Sequence, residues 1–392
     1  MNKNLLRQDV QDFIQDKRNA DLSKLILKGS PFPEITIQEL AIQIKGLNTS
    51  EKKLPTWYNT SGILFPPKLN LEQTSSEKTA KYKAEIIKGE RLIDITGGFG
   101  VDAYCFSRIF EEVTYCEMNS ELAEIAAHNF EKLGAEYIHI HTRDGLAYLE
   151  NNSCKYDWIF IDPARRDNRG GKVFRLQDCT PNVPENLELL FSRADSILIK
   201  TSPLLDLKAG LDELQHVSEI HIVSVENEVK ELLWILTKIA NSEVRVKTIN
   251  FQKKGNQTFE GILGTYVAEI AYSLPQKFLY EPNPAIMKSG LFETLGQQTG
   301  TKKLHKHSHL FTSEEEKEFP GRIFQITNFK PFNNRNIKKE FKGEKANIST
   351  RNFPESVSEI RKKFQIKDGG KDYLFFTTNL NNEKIVITCR KL

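Results

Sequence analysis

Residues 92–102 read Leu92-Ile-Asp94-Ile-Thr-Gly97-Gly98-Phe-Gly100-Val-Asp102, a short apolar run that leads into a glycine cluster. The pattern predicts a buried strand, a tight turn and a helix that begins directly behind the turn. Glycine lets the backbone turn sharply and approach a ligand without a Cβ in the way. Three glycines after a buried strand would cost stability unless a ligand or close packing required them. The stretch therefore predicts a ligand-binding loop at a strand tip.

Composition places this loop in a globular chain of two to three domains, since the sequence has 392 residues, 39% of them hydrophobic and 27% charged. That balance excludes a mainly disordered protein. No apolar run of about 18 residues occurs, so we expect no membrane span. The first residues, MNKNLLRQDVQDF, lack the apolar core of a signal peptide, and the five cysteines are scattered without a CxxC pair. Both features predict a cytoplasmic protein with free thiols.

The net charge of +3 is unevenly distributed along the chain. Residues 276–392 contain 22 Lys and Arg against 13 Asp and Glu, a balance of +9. The preceding residues contain 33 basic and 39 acidic side chains, a balance of −6. A basic end on an acidic body is typical of proteins that bind a polyanion, although a solvated surface explains the asymmetry equally well.

The texture of the sequence changes twice, which predicts three regions: 1–72, 73–274 and 275–392. The first is polar, with apolar residues at helical spacing and a proline-rich end. The second alternates short β-rich runs with helices, which indicates an α/β fold with a parallel sheet. Its helix near residue 77 is expected to begin with a capping box formed by Thr74 and Glu77. The third reads as a separate α+β module. The strands we predict in the sheet are 91–95, 112–116, 137–141, 158–161, 196–200, 219–225 and 244–251.

Three further acidic residues follow the predicted strands. Glu117 comes 23 residues after Asp94, where a carboxylate can accept hydrogen bonds from both hydroxyls of a ribose. Asp144 follows the third strand and is placed to accept a hydrogen bond from an adenine amine. Asp162 and Pro163 follow the fourth strand. The Gly98-x-Gly100-x-x-Ala pattern also matches the dinucleotide fingerprint, so an NAD-dependent oxidoreductase stays an alternative. An acid before the glycines and an Asp-Pro step favour S-adenosylmethionine instead, because a carboxylate can hold its ammonium group.

With these motifs in this order, residues 77–251 resemble the class I S-adenosylmethionine-dependent methyltransferases. The resemblance implies a Rossmann-like sheet, S-adenosylmethionine as cofactor, and a catalytic tetrapeptide at Asp162–Arg165. Many amino-methylating members have Asn/Asp-Pro-Pro-aromatic there, and this chain keeps only the first half. The cofactor-binding residues it implies are Asp94, Thr96, Gly97, Gly98, Gly100, Asp102, Glu117, Met118, Asp144 and Gly145. The catalytic residues are Asp162, Pro163, Arg165 and Lys200.

The tetrapeptide indicates what is methylated. An Asp-Pro step can hold an exocyclic amine through the side chain and the next backbone carbonyl. Asp-Pro-x-Arg also resembles the carbon-5 uridine methyltransferases, but the nucleophilic Cys that they need is missing after Lys200, where Thr-Ser-Pro follows. Direct transfer to nitrogen or oxygen therefore remains, and of the two we expect a base nitrogen. Lys200 itself is predicted either to orient a substrate phosphate or to have a structural role at the strand end.

The C-terminal region resembles the THUMP-like domains of some bacterial methyltransferases, through Ala346–Pro354, Ile360–Phe364 and Gly369-Gly370. That resemblance implies RNA, tRNA or rRNA, as the partner. The alternatives are a methyltransferase acting on a protein or small molecule, and a non-catalytic RNA-binding protein. Three alternating histidines at 305–309 could chelate a metal, but no acidic or Cys ligand of suitable spacing joins them, so we expect no metal. Without a long apolar run, we also expect no membrane partner. The predicted nucleic-acid contacts are Arg166, Arg169, Lys172, Phe174, Arg351, Arg361, Lys362 and Lys363.

Overall fold

The computed structural model describes residues 1–165, 175–239, 243–264 and 271–392. The chain divides into two compact units. The first comprises Met1–Val217 with Trp234–Ala240, and the second comprises Ser218–Leu233 with Asn241–Leu392. Within the described ranges, no helix combines the length and apolar character needed to cross a membrane.

The first unit begins with helices, as the spacing of apolar residues predicts. Val10, Leu40 and Ile44 are fully buried among them. The long helix in this group begins with a capping box, in which Thr36 and Glu39 each bond the backbone of the other. The helices are α1 (Gln8–Asp16), α2 (Leu22–Lys28), α3 (Ile37–Lys53), α4 (Pro55–Asn59) and α5 (Lys68–Gln73).

The predicted capping box at Thr74 is wrong. Helix α6 (Glu77–Glu85) is capped by Ser76, whose Oγ accepts a hydrogen bond from Thr79 N–H at 3.2 Å. Glu77 is the first helical residue, and its carboxylate accepts from the backbone N–H of Thr56 at 2.8 Å. Thr74, Ser75 and Ser76 are consecutive candidates for the cap, so the sequence alone does not decide which of them begins the helix. Glu77 does not complete a capping box because its carboxylate is bonded to Thr56.

A nine-stranded sheet follows in the order β11-β10-β8-β9-β7-β4-β1-β2-β3. Strands β7, β4, β1, β2 and β3 pair in parallel, as do β8 and β10, whereas β11 pairs antiparallel to β10. This confirms the predicted α/β fold. The strands are β1 (Arg91–Asp94), β2 (Glu112–Cys116), β3 (His139–His141), β4 (Tyr156–Ile161), β7 (Ala194–Thr201), β8 (Val217–Val225), β9 (Glu228–Thr237), β10 (Arg245–Phe251) and β11 (Gln257–Ile262).

Helices connect the parallel strands and cover the sheet. They are α7 (Val101–Phe106), α8 (Ser120–Lys132), α9 (Gly145–Asn151), α10 (Leu187–Arg193) and α11 (Leu207–Glu213). After β4 the chain forms a small antiparallel pair, β5 (Ala164–Arg165) with β6 (Cys179–Thr180). The buried faces of β1 and β4 contribute Leu92, Ile93 and Ile159 to the core.

Two strands of the large sheet, β9 and β11, are absent from the sequence-based prediction. Strand β9 follows β8 after a turn at Glu226 and Asn227, both of which have positive φ angles of 49° and 64°. Turns of this kind are usually marked by Asn-Gly or Asp-Gly, and the turn here contains no glycine. The hairpin was therefore hidden from a pattern-based analysis.

The second unit contains a seven-stranded sheet in the order β13-β14-β12-β15-β18-β17-β16. Its strands are β12 (Phe278–Pro282), β13 (Lys302–Lys303), β14 (Phe311–Ser313), β15 (Gly321–Pro331), β16 (Asn347–Arg351), β17 (Asp372–Thr378) and β18 (Lys384–Lys391). Its helices are α12 (Pro284–Ser289), α13 (Phe292–Thr299), α14 (Asn334–Phe341) and α15 (Val357–Phe364). Ile337 and Phe341 of α14 and Ile360 and Phe364 of α15 are buried in one hydrophobic cluster.

Candidate functional site

The predicted carboxylates lie at the carboxyl ends of adjacent parallel strands. Asp94 ends β1 and Asp162 follows β4, while Glu117 follows β2. Strand β1 lies between β4 and β2, so the order of the strands reverses between β1 and β4. In open α/β sheets, ligands bind in the crevice at such a reversal. The topology therefore places the predicted residues at the position where this fold binds its ligands.

The glycine loop takes its shape from its neighbours inside the first unit. A Cβ at Gly97 would lie 2.2 Å from the ring of Tyr115, and one at Gly100 would lie 2.5 Å from the ring of Phe130. Gly98 has a φ of 58°, and its nearest neighbour would be a backbone oxygen at 3.7 Å. Close packing therefore requires glycine at 97 and 100, whereas at Gly98 the backbone conformation requires it and the adjacent space is open.

Strand β2 holds the same loop through two side chains. Tyr115, which is fully buried, donates its hydroxyl to Gly98 O at 2.5 Å. Glu117 accepts from Gly98 N–H at 2.8 Å with one carboxylate oxygen and from Asn119 N–H at 2.7 Å with the other. Each carboxylate oxygen can accept a second hydrogen bond. Glu117 can thus hold the loop and still receive ribose hydroxyls.

Asp94 is a buried acid, with 1% of its surface exposed. Its Oδ1 accepts hydrogen bonds from Thr96 N–H at 2.9 Å and from the Thr96 hydroxyl at 3.3 Å. Burial raises the pKa of Asp94 well above its ordinary value, and the nearby carboxylates of Asp102 and Asp162 raise it further. A cation bound beside Asp94 would reverse this effect by favouring the ionised form.

Asp102 is engaged by protein partners. Ser75 donates its hydroxyl to Asp102 Oδ2 at 2.7 Å, and the fully buried Lys83 ammonium lies 3.2 Å from Oδ1. The arrangement ties α6 to α7 behind the glycine loop. It gives a structural role to the polar stretch around residue 75, and it accounts for Asp102 without a cofactor contact. Neither Ser75 nor Lys83 was predicted, since only the tertiary contact shows what they do.

Asp162 and Lys200 form an ion pair at the ends of the neighbouring strands β4 and β7. The Lys200 ammonium pairs with the Asp162 carboxylate, and the Lys200 side chain is 12% exposed while that of Asp162 is 34% exposed. The backbone N–H of Asp162 donates to Thr96 Oγ1 at 2.8 Å. Pro163 is buried, and Arg165 is exposed in β5. Asp162 is therefore bonded directly to the loop that follows Asp94.

The remaining predicted cofactor residues follow the carboxyl ends of strands β2 and β3. Asp144 caps α9 by accepting from Ala147 N–H at 2.9 Å, and its side chain is exposed. Gly145 is required by packing, because a Cβ there would lie 2.3 Å from Ile95 O. Met118 is 67% exposed directly after Glu117. An adenine contact by Asp144 is compatible with its capping bond but is not needed to explain it.

The predicted nucleic-acid contacts are divided by the structure. Arg166, Arg169, Lys172 and Phe174 lie outside the described residues. In the second unit, Arg351 pairs with buried Glu281 at 2.8 Å, Arg361 with Asp368 at 2.5 Å, and Lys363 with Glu355 at 2.7 Å. Arg361 also donates to Ala346 O at 3.0 Å. These three cations therefore have acidic partners within the second unit. Lys362 is exposed, and no ion pair to it occurs within the described ranges.

A second basic helix was missed in the sequence. Helix α14 buries Ile337 and Phe341, and it carries exposed cations at Arg335, Lys338 and Lys339. Both basic helices pack on the same hydrophobic cluster of the second unit. The run RNIKKEFK was visible in the sequence, but without a predicted helix it gave no indication of a surface.

The alternating histidines take part in local packing. His305 is hydrogen-bonded to Asn382 at 3.1 Å and to Asn352 at 2.9 Å. His309 stacks on Phe292 with ring centroids 3.8 Å apart, and burial lowers its pKa to about 4. In the part of the chain that the structure describes, no group of three or more His, Cys, Asp or Glu side chains could hold a metal ion.

Comparison with known proteins gives matches along most of the chain. The model for protein-L-isoaspartate (D-aspartate) O-methyltransferases matches residues 69–167. A ferredoxin-like domain matches residues 278–320, and a THUMP domain-like model matches residues 321–391. A relative described as an uncharacterized RNA methyltransferase of Mycoplasma mobile is 29% identical over 138 residues, which span 34% of this chain and 38% of that protein.

One solved structure matches the full length. It is described as a putative methyltransferase from Porphyromonas gingivalis W83, and it is 32% identical with a TM-score of 0.89. The match covers 99% of this chain and 98% of that one. With the THUMP-like match at the C-terminus, it confirms the resemblance on which the sequence-based prediction rests. The chain therefore belongs to the family of methyltransferases that carry a C-terminal THUMP-like domain.

Proposed function

We propose that the protein transfers a methyl group from S-adenosylmethionine to a base nitrogen of RNA. The single observation that carries the cofactor assignment is Asp94, a buried acid at the end of β1, directly before the glycine loop. A buried carboxyl with a raised pKa is costly to ionise unless a cation meets it. The ammonium group of S-adenosylmethionine is such a cation.

The same residues disfavour the dinucleotide alternative. A pyrophosphate at the glycine loop would bring negative charge toward Asp94, which already experiences the carboxylates of Asp102 and Asp162. Like charges at short range in a poorly solvated site repel strongly. Buried Lys83 pairs with Asp102. The electrostatics of the loop therefore favour a cationic ligand over an anionic one.

Glu117 and the loop backbone would hold the nucleoside part of the cofactor. Glu117 is fixed by hydrogen bonds from Gly98 and Asn119, so its free lone pairs have a set direction. Met118 offers an exposed apolar side chain next to it, on which a purine can pack. Once bound, S-adenosylmethionine supplies an electrophilic methyl group on a sulfonium.

Asp162 would hold the amine that accepts the methyl group. Its carboxylate can accept an N–H of the amine, which turns the nitrogen lone pair toward the methyl carbon. Lys200 forms an ion pair with Asp162 and limits the motion of its side chain. Formation of the N–C bond, as the bond between the methyl group and the departing sulfur breaks to leave a neutral thioether, would leave a positive charge on the nitrogen, and loss of its proton to the Asp162 carboxylate or to water would relieve that charge. Positioning supplies much of the rate in such a transfer.

Three observations support RNA as the substrate: the THUMP-like match, the description of the Mycoplasma mobile relative as an RNA methyltransferase, and the basic second unit. Lys362 and the α14 cations Arg335, Lys338 and Lys339 are exposed, whereas Arg351, Arg361 and Lys363 pair with acidic side chains of the second unit. An RNA partner also agrees with the cytoplasmic location predicted for a chain of free thiols.

Nucleoside mass spectrometry of RNA from cells with and without the gene tests the proposal directly. We expect one methylated nucleoside to disappear with the gene and to return with the wild-type gene. An Asp162→Ala gene should fail to restore it. An unchanged nucleoside profile, with methylation of a protein or a small molecule instead, would contradict the RNA assignment and leave the cofactor assignment in place.

The RNA surface is tested separately by neutralising Arg335, Lys338 and Lys339 to Gln. If three phosphate contacts are lost, a plot of log RNA affinity against log salt concentration should become less steep, its slope falling in magnitude by about 2. A matched control neutralises three exposed lysines elsewhere in the second unit (Lys253, Lys254 and Lys302). Affinity is measured with total tRNA as the ligand. If the control variant lowers this affinity as much as the α14 variant does, the α14 surface is not the contact site.

A further inference from the structure

Thr96 joins the two acids of the site, although the sequence pattern assigned it only to cofactor binding. It follows Asp94 by two residues, and its side chain contacts the first residue of the catalytic tetrapeptide. Both acids belong to the first unit, on the adjacent strands β1 and β4. The Thr96 side chain therefore connects Asp94, at the proposed ammonium site, with Asp162, at the proposed amine site.

The hydroxyl of Thr96 both donates and accepts a hydrogen bond. It donates that proton to Asp94 Oδ1 at 3.3 Å, and its oxygen accepts the backbone N–H of Asp162 at 2.8 Å. The backbone N–H of Thr96 donates to the same Asp94 oxygen at 2.9 Å. A threonine hydroxyl has a single proton to donate. The observed bonds thus use the hydroxyl to connect a carboxyl group with a backbone amide.

We propose that Thr96 is a positioning residue that couples the binding of a cation at Asp94 to the placement of the Asp162 backbone. This inference rests on the proposed function. A cation beside Asp94 favours its ionised form, and a charged acceptor strengthens the hydrogen bond from the Thr96 hydroxyl. Hydrogen bonds in a chain polarise one another, so the bond from Asp162 N–H to Thr96 should strengthen as well.

The coupling has a use in the proposed reaction. Lys200 fixes the side chain of Asp162, and Thr96 fixes its backbone. The amine-binding carboxylate and the carbonyl that follows it are therefore set by two bonds, one of which depends on the state of Asp94. The protein would be best prepared for its substrate amine when the cofactor is already in place.

Hydrogen exchange of the Asp162 amide measures this bond directly, with S-adenosylhomocysteine as the probe because it retains the ammonium group. In the wild-type protein we expect saturating probe to slow exchange of this amide by about tenfold, within the usual range of coupling between sites. Thr96→Val should give fast exchange with and without probe, each at a concentration that saturates that variant. Thr96→Ser should restore the protection.

Thr114→Val is the matched control, since Thr114 is a buried threonine on the neighbouring strand β2. It should leave the probe-dependent protection of the Asp162 amide unchanged. The wild-type measurement decides the matter even if Thr96→Val does not fold: protection that does not respond to bound probe overturns the coupling. Calorimetry on the same samples separates the two proposals, because a wild-type protein that binds no probe refutes the cofactor assignment itself.

Discussion

Replacing Asp94 by Asn tests the electrostatic basis of the site with little change in shape. The amide oxygen of Asn can still accept the two hydrogen bonds from Thr96, so the loop should keep its conformation. What is lost is the negative charge. The variant therefore isolates the attraction between residue 94 and a bound ammonium.

The magnitude follows from the burial of Asp94, which is 1% exposed. Two unit charges about 4 Å apart attract by about 4 kcal/mol at an effective dielectric constant near 20. The raised pKa of Asp94 means that ionising it on binding offsets part of this attraction. We expect Asp94→Asn to weaken S-adenosylmethionine binding by about 2–3 kcal/mol, or about 30- to 150-fold.

The same substitution should stabilise the protein in the absence of cofactor. As pH rises from 3.8, the unfolded chain releases the Asp94 proton first, since the pKa in the folded protein is raised. The folded state then loses stability until the pH passes that raised pKa. Asn has no proton to lose. Asp94→Asn should therefore melt at a higher temperature than wild type near neutral pH, without ligand.

Isothermal titration calorimetry and thermal melting measure both effects. In the wild-type protein, affinity for S-adenosylmethionine should rise with pH as Asp94 ionises, and Asp94→Asn should remove that contribution. Asp195→Asn serves as the control, because the Asp195 side chain is 86% exposed and should affect neither quantity. Binding by Asp94→Asn within about twofold of wild type would refute the reasoning, since a lost buried charge pair must cost more.

Three further substitutions test other parts of the site. Tyr115→Phe removes the hydroxyl bond to the glycine loop and should weaken cofactor binding by about 1 kcal/mol. Tyr156→Phe, whose hydroxyl contacts Thr114 and Tyr148, should not weaken it, and equal effects of the two variants in calorimetry would argue against a role for the loop bond. Asp162→Ala should keep cofactor affinity within about threefold while methyl transfer stops, so retained turnover would exclude its proposed role. Lys83→Met removes the cation beside the buried Asp102 carboxylate and should lower the free energy of unfolding by about 3–5 kcal/mol, against less than about 1 kcal/mol for Lys68→Met, whose ion pair with Glu72 is exposed, as denaturant titration would show.

Local patterns in the sequence were sufficient for the architecture of the catalytic half. Apolar runs with β-branched residues located β1, β2, β4 and β7 within a few residues, because strand burial is written directly into the order of side chains. The rule that parallel strands point their carboxyl ends to one edge then brought Asp94, Glu117 and Asp162 together without coordinates. The hairpin at Glu226 and Asn227 could not be predicted in this way, because the turn contains no glycine although both residues have positive φ angles.

Pairings between distant side chains could not be read in the same way. The sequence showed Arg351 as a cation available to RNA, and the fold gives it to buried Glu281. It showed Gly97 as a ligand-loop glycine, and the fold explains it by the ring of Tyr115. The bond from Asp162 to Thr96 spans 66 positions of the chain. Residue order fixes which groups reach a strand tip, but partners, burial and pKa values arise only when packing brings separate segments into contact, because charge and hydrogen-bond energies depend on distances in space.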